Sequence, residues 1–152
     1  MKTHARVVVI GGGVVGVSTL YHLAKKGWSD VVLVERKELT SGSTWHAAGL
    51  LPLFNMSYSV GQVHKYSVKF YQELAEETGM DVGFRNVSNI RLASTRDRMD
   101  EYRQYAGVAS TIGVDVQFLT PDEIKHYWPL CNVDGLIGAI RHPGDGYIQP
   151  AD

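Results

Sequence analysis

The chain has 152 residues, a length that suits one domain of ordinary size, and 44% of them are hydrophobic, enough to build a packed core. The 15 Lys and Arg residues nearly balance the 16 Asp and Glu residues, so we expect neither a nucleic-acid nor a membrane partner. A single cysteine excludes an intrachain disulfide, and the histidines lack metal-ligand spacing, so we expect no metal site. The N-terminal apolar run is too short for a secretory signal, and no window is long and apolar enough for a transmembrane helix, so we expect a cytoplasmic protein.

The first fifty residues read as a strand, a glycine-rich turn, a helix and a second strand. Residues 5–10 are a continuous apolar run typical of a parallel strand buried on both faces. Apolar residues at helical spacing predict a helix over 14–26, which Gly27 ends, and 31–34 form the next strand. This order predicts a βαβ unit. Residues 36–49, rich in Gly, Ser and Thr, predict a loop with a short helix beginning near Thr44.

The rest of the chain follows a different pattern. Amphipathic spacing predicts a long helix from Ser57 to Thr78, and further helices are predicted over 96–112 and after the start signal Thr120-Pro121-Asp122-Glu123. The strand candidates are residues 83–86, 89–94, 115–119 and 136–142. Because these strands do not alternate with helices one by one, they indicate an α+β region with a mixed sheet.

The glycines of the first turn match a dinucleotide-binding fingerprint, Gly11-x-Gly13-x-x-Gly16. Gly11 permits the tight turn, Gly13 gives a pyrophosphate room to approach the backbone, and Gly16 lets the helix pack closely on the strand. The amides of Val14 and Val15 stand at the helix N-terminus, where they would point at the phosphates.

An acidic residue, Glu35, ends the second strand, about 20 residues after the glycines. A carboxylate at this position accepts hydrogen bonds from ribose hydroxyls and disfavours a 2′-phosphate, which argues against NADP. We include the neighbouring Arg36 among the predicted cofactor contacts.

A second motif, which we call the histidine loop, occupies residues 39–50. Its small polar residues offer amides and hydroxyls to a pyrophosphate: Gly42, Ser43 and Thr44. Its small apolar residues leave space for a flat ring system: Ala47, Ala48 and Gly49.

The fingerprint together with the histidine loop resembles the dimethylglycine and sarcosine dehydrogenases, within the D-amino-acid-oxidase-like flavoproteins. The resemblance continues through residues 76–79, 89–93 and 143–147, so it covers essentially the whole chain. It implies FAD as the cofactor, with Leu50 among the flavin contacts, and covalent attachment of the flavin through His46. Neutral imidazole is a competent nucleophile for such a bond.

The resemblance also implies an activity. We expect oxidation of an N-methylated glycine, of the dimethylglycine or sarcosine type, by hydride transfer to flavin N5 with oxidative demethylation. Electrons would pass to an acceptor protein or to oxygen, and tetrahydrofolate would bind in a region beyond this chain. Three alternatives remain open: another FAD amine or amino-acid oxidase, a non-catalytic regulatory relative, and an inactive fragment.

The predicted fold is α/β, with a Rossmann-like FAD-binding domain that begins at residues 1–50 and continues through a long helix and linker at 51–82. Part of an α+β substrate domain follows at 83–142, and 143–152 form a return segment. A doubly wound sheet needs more parallel strands than the two evident here. We therefore expect the chain to be the N-terminal piece of a longer polypeptide. Arg91, on a predicted strand, is expected to face solvent rather than a substrate carboxylate.

Overall fold

The computed structural model describes residues 3–150. Their contacts divide them into two compact units, residues 3–49 with 150, and residues 50–149. The elements in chain order are β1 (Val7–Ile10), α1 (Val14–Lys25), β2 (Val31–Val34), β3 (Leu50–Leu51), α2 (Tyr58–Thr78), β4 (Arg85–Asn86), β5 (Asn89–Ala93), α3 (Arg96–Ile112), β6 (Gln117–Leu119), α4 (Pro121–Tyr127), β7 (Gly138–His142) and β8 (Gly146–Tyr147).

The first unit contains the predicted βαβ arrangement, which is confirmed. β1 and β2 pair in parallel with Val7 opposite Val31, and α1 connects them. The expectation that β1 is buried on both faces is wrong, since Val8 and Ile10 are exposed while the alternate residues are half-buried. Val9 lies on the side where α1 packs, so the helix covers one face only.

The second unit is built on an antiparallel sheet with strand order β5-β7-β6. One buried cluster gathers residues of α3 and the middle strand, including Tyr105, Ala109 and Ile140. A smaller cluster packs α4 and the following loop on the sheet through Ile124 and Cys131. Cys131 is thus a buried core residue, as its apolar character predicts.

The helices of the second unit begin and end as their sequence signals predict. Ser57 caps α2, and Gly79 follows that helix in the left-handed conformation with φ of 71°. α3 spans the predicted residues. Thr120 and Glu123 form a reciprocal capping box at the start of α4.

A further three-stranded sheet, with order β3-β8-β4, was not predicted from the sequence. Its strands have two residues each, too few for an alternating hydrophobic pattern to be recognised in the sequence. The short helix expected near Thr44 is also absent, because residues 39–46 form consecutive hydrogen-bonded turns. The domain boundaries at 50, 82 and 142 stay a prediction, and the last two residues of the return segment lie outside the described residues. Within residues 3–150, no helix has the length and apolar character needed to cross a bilayer.

Candidate functional site

The predicted fingerprint glycines form a tight turn between β1 and α1, which we call the glycine turn (residues 11–16). Gly11 has φ of 105° and donates its N–H to Val34 O at 2.9 Å, which joins the turn to β2. A Cβ on Gly16 would lie 1.8 Å from Gly11 O and 3.5 Å from Val9 Cγ1. Only glycine therefore permits the helix to approach the strand this closely.

Three backbone N–H groups hold the carboxylate of Glu35 beside this turn. Gly12 N donates to its Oε2 at 2.6 Å, while Arg36 N and Lys37 N donate to its Oε1 at 2.7 and 2.9 Å. The Gly12 bond is the largest cause that lowers the pKa of Glu35, followed by the Lys37 bond. A carboxylate has about four acceptor positions, and three are used here. One position on Oε2 stays available for a ribose hydroxyl.

The sequence reasoning missed Gly12, although the run of three glycines was a signal for it. A Cβ on Gly12 would lie 2.5 Å from Leu39 Cδ2 and 3.1 Å from Glu35 Cβ. The absence of a side chain at Gly12 thus allows the acidic residue and the start of the histidine loop to close on the turn.

The histidine loop and the glycine turn lie directly against each other. Thr40 N donates to Gly12 O at 2.9 Å, and Val14 N donates to Thr44 Oγ1 at 2.9 Å. A Cβ on Gly13 would approach Thr44 Oγ1 to 3.0 Å. The two motifs, about 30 residues apart in the chain, therefore form one continuous surface at the N-terminus of α1.

This contact changes the expected use of the Val14 amide. The sequence predicts that the amides of Val14 and Val15 point at phosphate oxygens. In the structure, the Val14 N–H donates to the Thr44 hydroxyl instead. The Val15 side chain is exposed. A phosphate at this helix N-terminus would share the Val14 amide with Thr44 or replace the hydroxyl as its acceptor.

His46 lies at the end of the turns of the histidine loop, exposed to solvent. Its Nδ1 lies 3.0 Å from Gly42 O, and its backbone N donates to Ser43 O at 3.2 Å. In a neutral imidazole the contact with a carbonyl places the hydrogen on Nδ1. Nε2 then keeps its lone pair.

The other predicted contact residues differ in their placement. Ala47 N donates to Thr44 O at 3.1 Å, and Ala47 and Ala48 are exposed. Gly49 has φ of 71°, a conformation that favours glycine. Leu50 belongs to β3 and thus to the second unit, so the predicted site residues are not all in one compact unit.

A cleft of about 450 Å³ lies beside Glu35 and is lined by Glu35, Arg36, Lys37, Glu38 and Ser41. The cleft, the free acceptor position of Glu35 and the exposed helix N-terminus fit the ribose and phosphate parts of a dinucleotide. Among residues 3–150, no three His, Cys, Asp or Glu side chains cluster as metal ligands.

Known proteins resemble this chain over nearly its whole length. A profile of the family DAO, described as FAD dependent oxidoreductase, matches residues 6–152. Dimethylglycine dehydrogenase, mitochondrial, of Rattus norvegicus is 45% identical over 149 residues, which are 98% of this chain and 17% of that protein. Sarcosine dehydrogenase, mitochondrial, of Homo sapiens is 45% identical over 152 residues, 99% of this chain and 17% of that protein.

The similarity extends to three dimensions. The crystal structure of L-proline dehydrogenase from P. horikoshii matches with a TM-score of 0.92 and 28% identity, over 99% of this chain and 40% of that one. The chain thus spans less than half the length of each of these proteins. The family profile covers nearly all of its residues, and the resemblance predicted from the two motifs is confirmed. The chain belongs to the DAO family of FAD-dependent oxidoreductases.

Proposed function

We propose that this chain binds FAD on the surface formed by the glycine turn, Glu35 and the histidine loop. The observation that carries the proposal is the pair of hydrogen bonds, Thr40 N to Gly12 O and Val14 N to Thr44 Oγ1, which join the two motifs. Glu35 would accept from a ribose hydroxyl, and the N-terminus of α1 would attract the phosphates. Arg36, beside the cleft, would add positive charge near them.

His46 is proposed as the residue that holds the flavin covalently. The contact of Nδ1 with Gly42 O leaves Nε2 as the nucleophilic nitrogen, and the exposed ring is accessible to a ligand. Ser43, Ala47 and Ala48 are small neighbours that leave room for a flat ring beside the imidazole.

The proposed reaction is oxidation of an N-methylated glycine of the dimethylglycine or sarcosine type. Bound FAD would supply the hydride acceptor, with N5 taking hydride from the N-methyl carbon. Two relatives at 45% identity carry these substrates in their names, which supports the substrate class. The acceptor of the electrons is proposed to be a protein or oxygen, and a tetrahydrofolate site would lie outside this chain.

Flavin binding is tested by titrating the protein with FAD and following the quenching of flavin fluorescence. We expect saturable binding, and weaker binding for Glu35→Ala than for Glu35→Asp. Lys69→Ala, on the exposed surface of α2, is a matched control that should bind FAD normally. Equal affinity of the Glu35→Ala variant and the wild type would contradict the proposed ribose contact.

The covalent bond is tested by acid precipitation of the FAD-loaded protein. We expect the yellow colour to stay in the pellet of the wild type and to move to the supernatant for His46→Ala. His126→Ala is the control, since His126 lies on α4 in the second unit. Colour released entirely from the wild type would refute attachment through His46.

The activity is tested with sarcosine and dimethylglycine as substrates. Reduction of an artificial acceptor without peroxide would indicate a dehydrogenase, whereas peroxide formation would indicate an oxidase. A protein that binds FAD tightly but oxidises neither amine would fit the non-catalytic regulatory alternative.

A further inference from the structure

The sheet β5-β7-β6 of the second unit carries a half-buried arginine on each of its faces. Arg91 lies on β5 opposite Ile140, and Arg141 lies on β7 opposite Ile90. Residues that are paired across two antiparallel strands lie on the same face of the sheet. Arg91 therefore shares its face with Ile140 and the buried cluster of α3, and Arg141 lies on the face of the smaller cluster.

Arg141 has the partners that a half-buried arginine needs. Its Cζ lies 4.2 Å from the centre of the Tyr127 ring. Its Nε donates to Ser88 Oγ at 3.3 Å, and its Nη1 donates to Gln117 Oε1 at 2.7 Å. The ring contact and the two hydrogen bonds together compensate the charge for its partial loss of water.

Arg91 has the ring contact without the hydrogen bonds. Its Cζ lies 4.3 Å from the centre of the Phe54 ring. Its Nε is buried and has no hydrogen-bond partner among the described residues. Nη1 and Nη2 form no hydrogen bond within residues 3–150 either, but they are not buried, so both reach the solvent. Packing alone does not account for a half-buried cation whose donors are unused.

The Phe54 ring holds the guanidinium of Arg91 in place. The centre of this ring lies 4.2 Å from that of Tyr105. The rings of Tyr102 and His142 follow at 6.1 and 6.0 Å. Because these three neighbours are all buried, the Phe54 ring has little freedom to move. The guanidinium is thus positioned before a ligand arrives, which lowers the entropy lost on binding.

Asp145, a carboxylate of the same unit, does not pair with Arg91. Burial raises the pKa of Asp145 to about 6, while its bond to Leu53 and the charge of Arg91 act against this rise. Asp145 Oδ1 accepts from Leu53 N at 2.9 Å, and Oδ2 has no hydrogen-bond partner among the described residues. The charge of Arg91 therefore acts on Asp145 from a distance, and the donors of Arg91 stay unused.

The shape of the guanidinium selects the chemistry of its partner. Nη1 and Nη2 present two parallel N–H groups, which match the two oxygens of a carboxylate. Since Nε is enclosed, a partner can reach only the end of the side chain. This restricted access favours a small acid over a broad protein surface.

We propose that Arg91, held over Phe54, binds the carboxylate of a small organic acid or amino acid through Nη1 and Nη2. The proposal goes beyond the proposed function and does not rest on it, because it concerns residues of the second unit alone. It requires no bound flavin.

The test titrates the full chain, without added FAD, with sodium acetate while sodium chloride keeps the ionic strength constant. Proton–nitrogen correlation spectra follow the Arg91 Nε–H together with the backbone amides of Phe54 and Leu92. We expect a saturable change with a dissociation constant on the order of 1 mM. Dimethylglycine, which has a carboxylate, should give the same change, and trimethylamine, which has none, should not.

Two variants separate the role of Arg91 from a general effect of charge. Arg91→Lys keeps the charge but loses the planar pair of donors, so it should weaken acetate binding by about fivefold or more. Arg141→Lys makes the same change on the opposite face of the sheet and is the matched control. It should bind acetate with the affinity of the wild type.

Several outcomes would overturn the carboxylate site. These are the absence of a saturable change with acetate, equal affinity of the wild type and Arg91→Lys, and an equal response to inorganic phosphate. Sedimentation supplies a further one, since self-association that Arg91→Lys abolishes would assign Arg91 to an acidic side chain of a second copy. Failure of the chain to bind FAD would refute the proposed function and leave the acetate result unchanged, so the two failures are distinguishable.

Discussion

The side-chain hydroxyl of Thr44 accepts a hydrogen bond from the backbone N–H of Val14 at 2.9 Å. This bond fixes the histidine loop to the first turn of α1 and satisfies a helix N–H that has no partner within the helix. Thr44 therefore caps α1 from a position 30 residues away, because Gly13, the residue at the N-cap itself, has no side chain.

Replacement of Thr44 by Val should lower the free energy of unfolding by about 1 kcal/mol, since the shape is kept and the acceptor of the Val14 N–H is lost. Thr44→Ser keeps the hydroxyl and serves as the control, with a loss of less than about 0.5 kcal/mol. Urea unfolding followed by circular dichroism measures both. A Val variant as stable as the Ser variant would show that the bond contributes no net stability.

Gly16→Ala should be strongly destabilising, by about 3 kcal/mol or more, because the new methyl group would overlap the Gly11 carbonyl and push α1 away from β1. Gly107→Ala is the comparison, since Gly107 lies in α3 with open space where its Cβ would be. It should stabilise the protein by about 0.5–1 kcal/mol through helix propensity. Thermal unfolding of the two variants should therefore shift in opposite directions.

His142 should make the protein less stable in acid. Burial, followed by the positive charge of Arg91, lowers the pKa of His142 to about 4, while Asp115 acts in the opposite direction. The folded state therefore binds the proton more weakly than the unfolded state, whose pKa is the ordinary 6.5. The stability from this group is present above pH 6.5 and is lost as the pH falls toward 4, by up to about 3 kcal/mol.

His142 Nε2 lies 3.1 Å from the hydroxyl oxygen of Tyr105. The substitution His142→Gln keeps an N–H donor for that oxygen and removes the titratable imidazole. Its free energy of unfolding should fall less steeply between pH 6.5 and 4 than that of the wild type, as measured by urea unfolding at several pH values. An unchanged slope for His142→Gln would contradict the assigned pKa.

Asp145 should have the opposite pH dependence. Burial raises the pKa of Asp145 to about 6, and the Leu53 amide and Arg91 act against this rise. Because the folded state binds this proton more tightly than the unfolded state, stability from Asp145 is greatest in acid and is lost as the pH rises from 3.8 to about 6. Asp145→Asn should thus be more stable than the wild type at pH 7, by about 1–3 kcal/mol, and should lose stability more steeply on acidification. Lower stability at pH 7 would show that the ionised carboxylate is favourable.

The sequence predicts elements whose signals are local. The glycines of the first turn, the Thr120 capping box and the periodicity of α2 and α3 all depend on residues within a few positions of each other. Glu35 was identified because its distance from the glycines is characteristic. The structure places it beside the glycine turn, where it accepts from Gly12 N, and the ribose contact itself stays a prediction.

Features that depend on long-range contacts could not be predicted in this way. No local pattern indicates that Leu50 pairs with Tyr147 or that Thr44 caps α1. Arg91 was expected to face solvent, but its Nε is buried and its guanidinium lies 4.3 Å over the ring of Phe54. His142 was assigned no special environment, and only the assembled core shows that it is fully buried.

The strand order of the second unit has a consequence for how the protein is made. β7 lies between β5 and β6, and β8 lies between β3 and β4, so the middle strands of both sheets come from residues 138–147. Synthesis proceeds at about 5–20 residues per second, and the four outer strands, β3, β4, β5 and β6, leave the ribosome before either middle strand. Their backbone hydrogen-bonding groups stay unpaired until residues 138–147 are made. Neither sheet can form before this late segment appears, and we expect the second unit to fold in one slow, cooperative step dominated by contacts between distant residues.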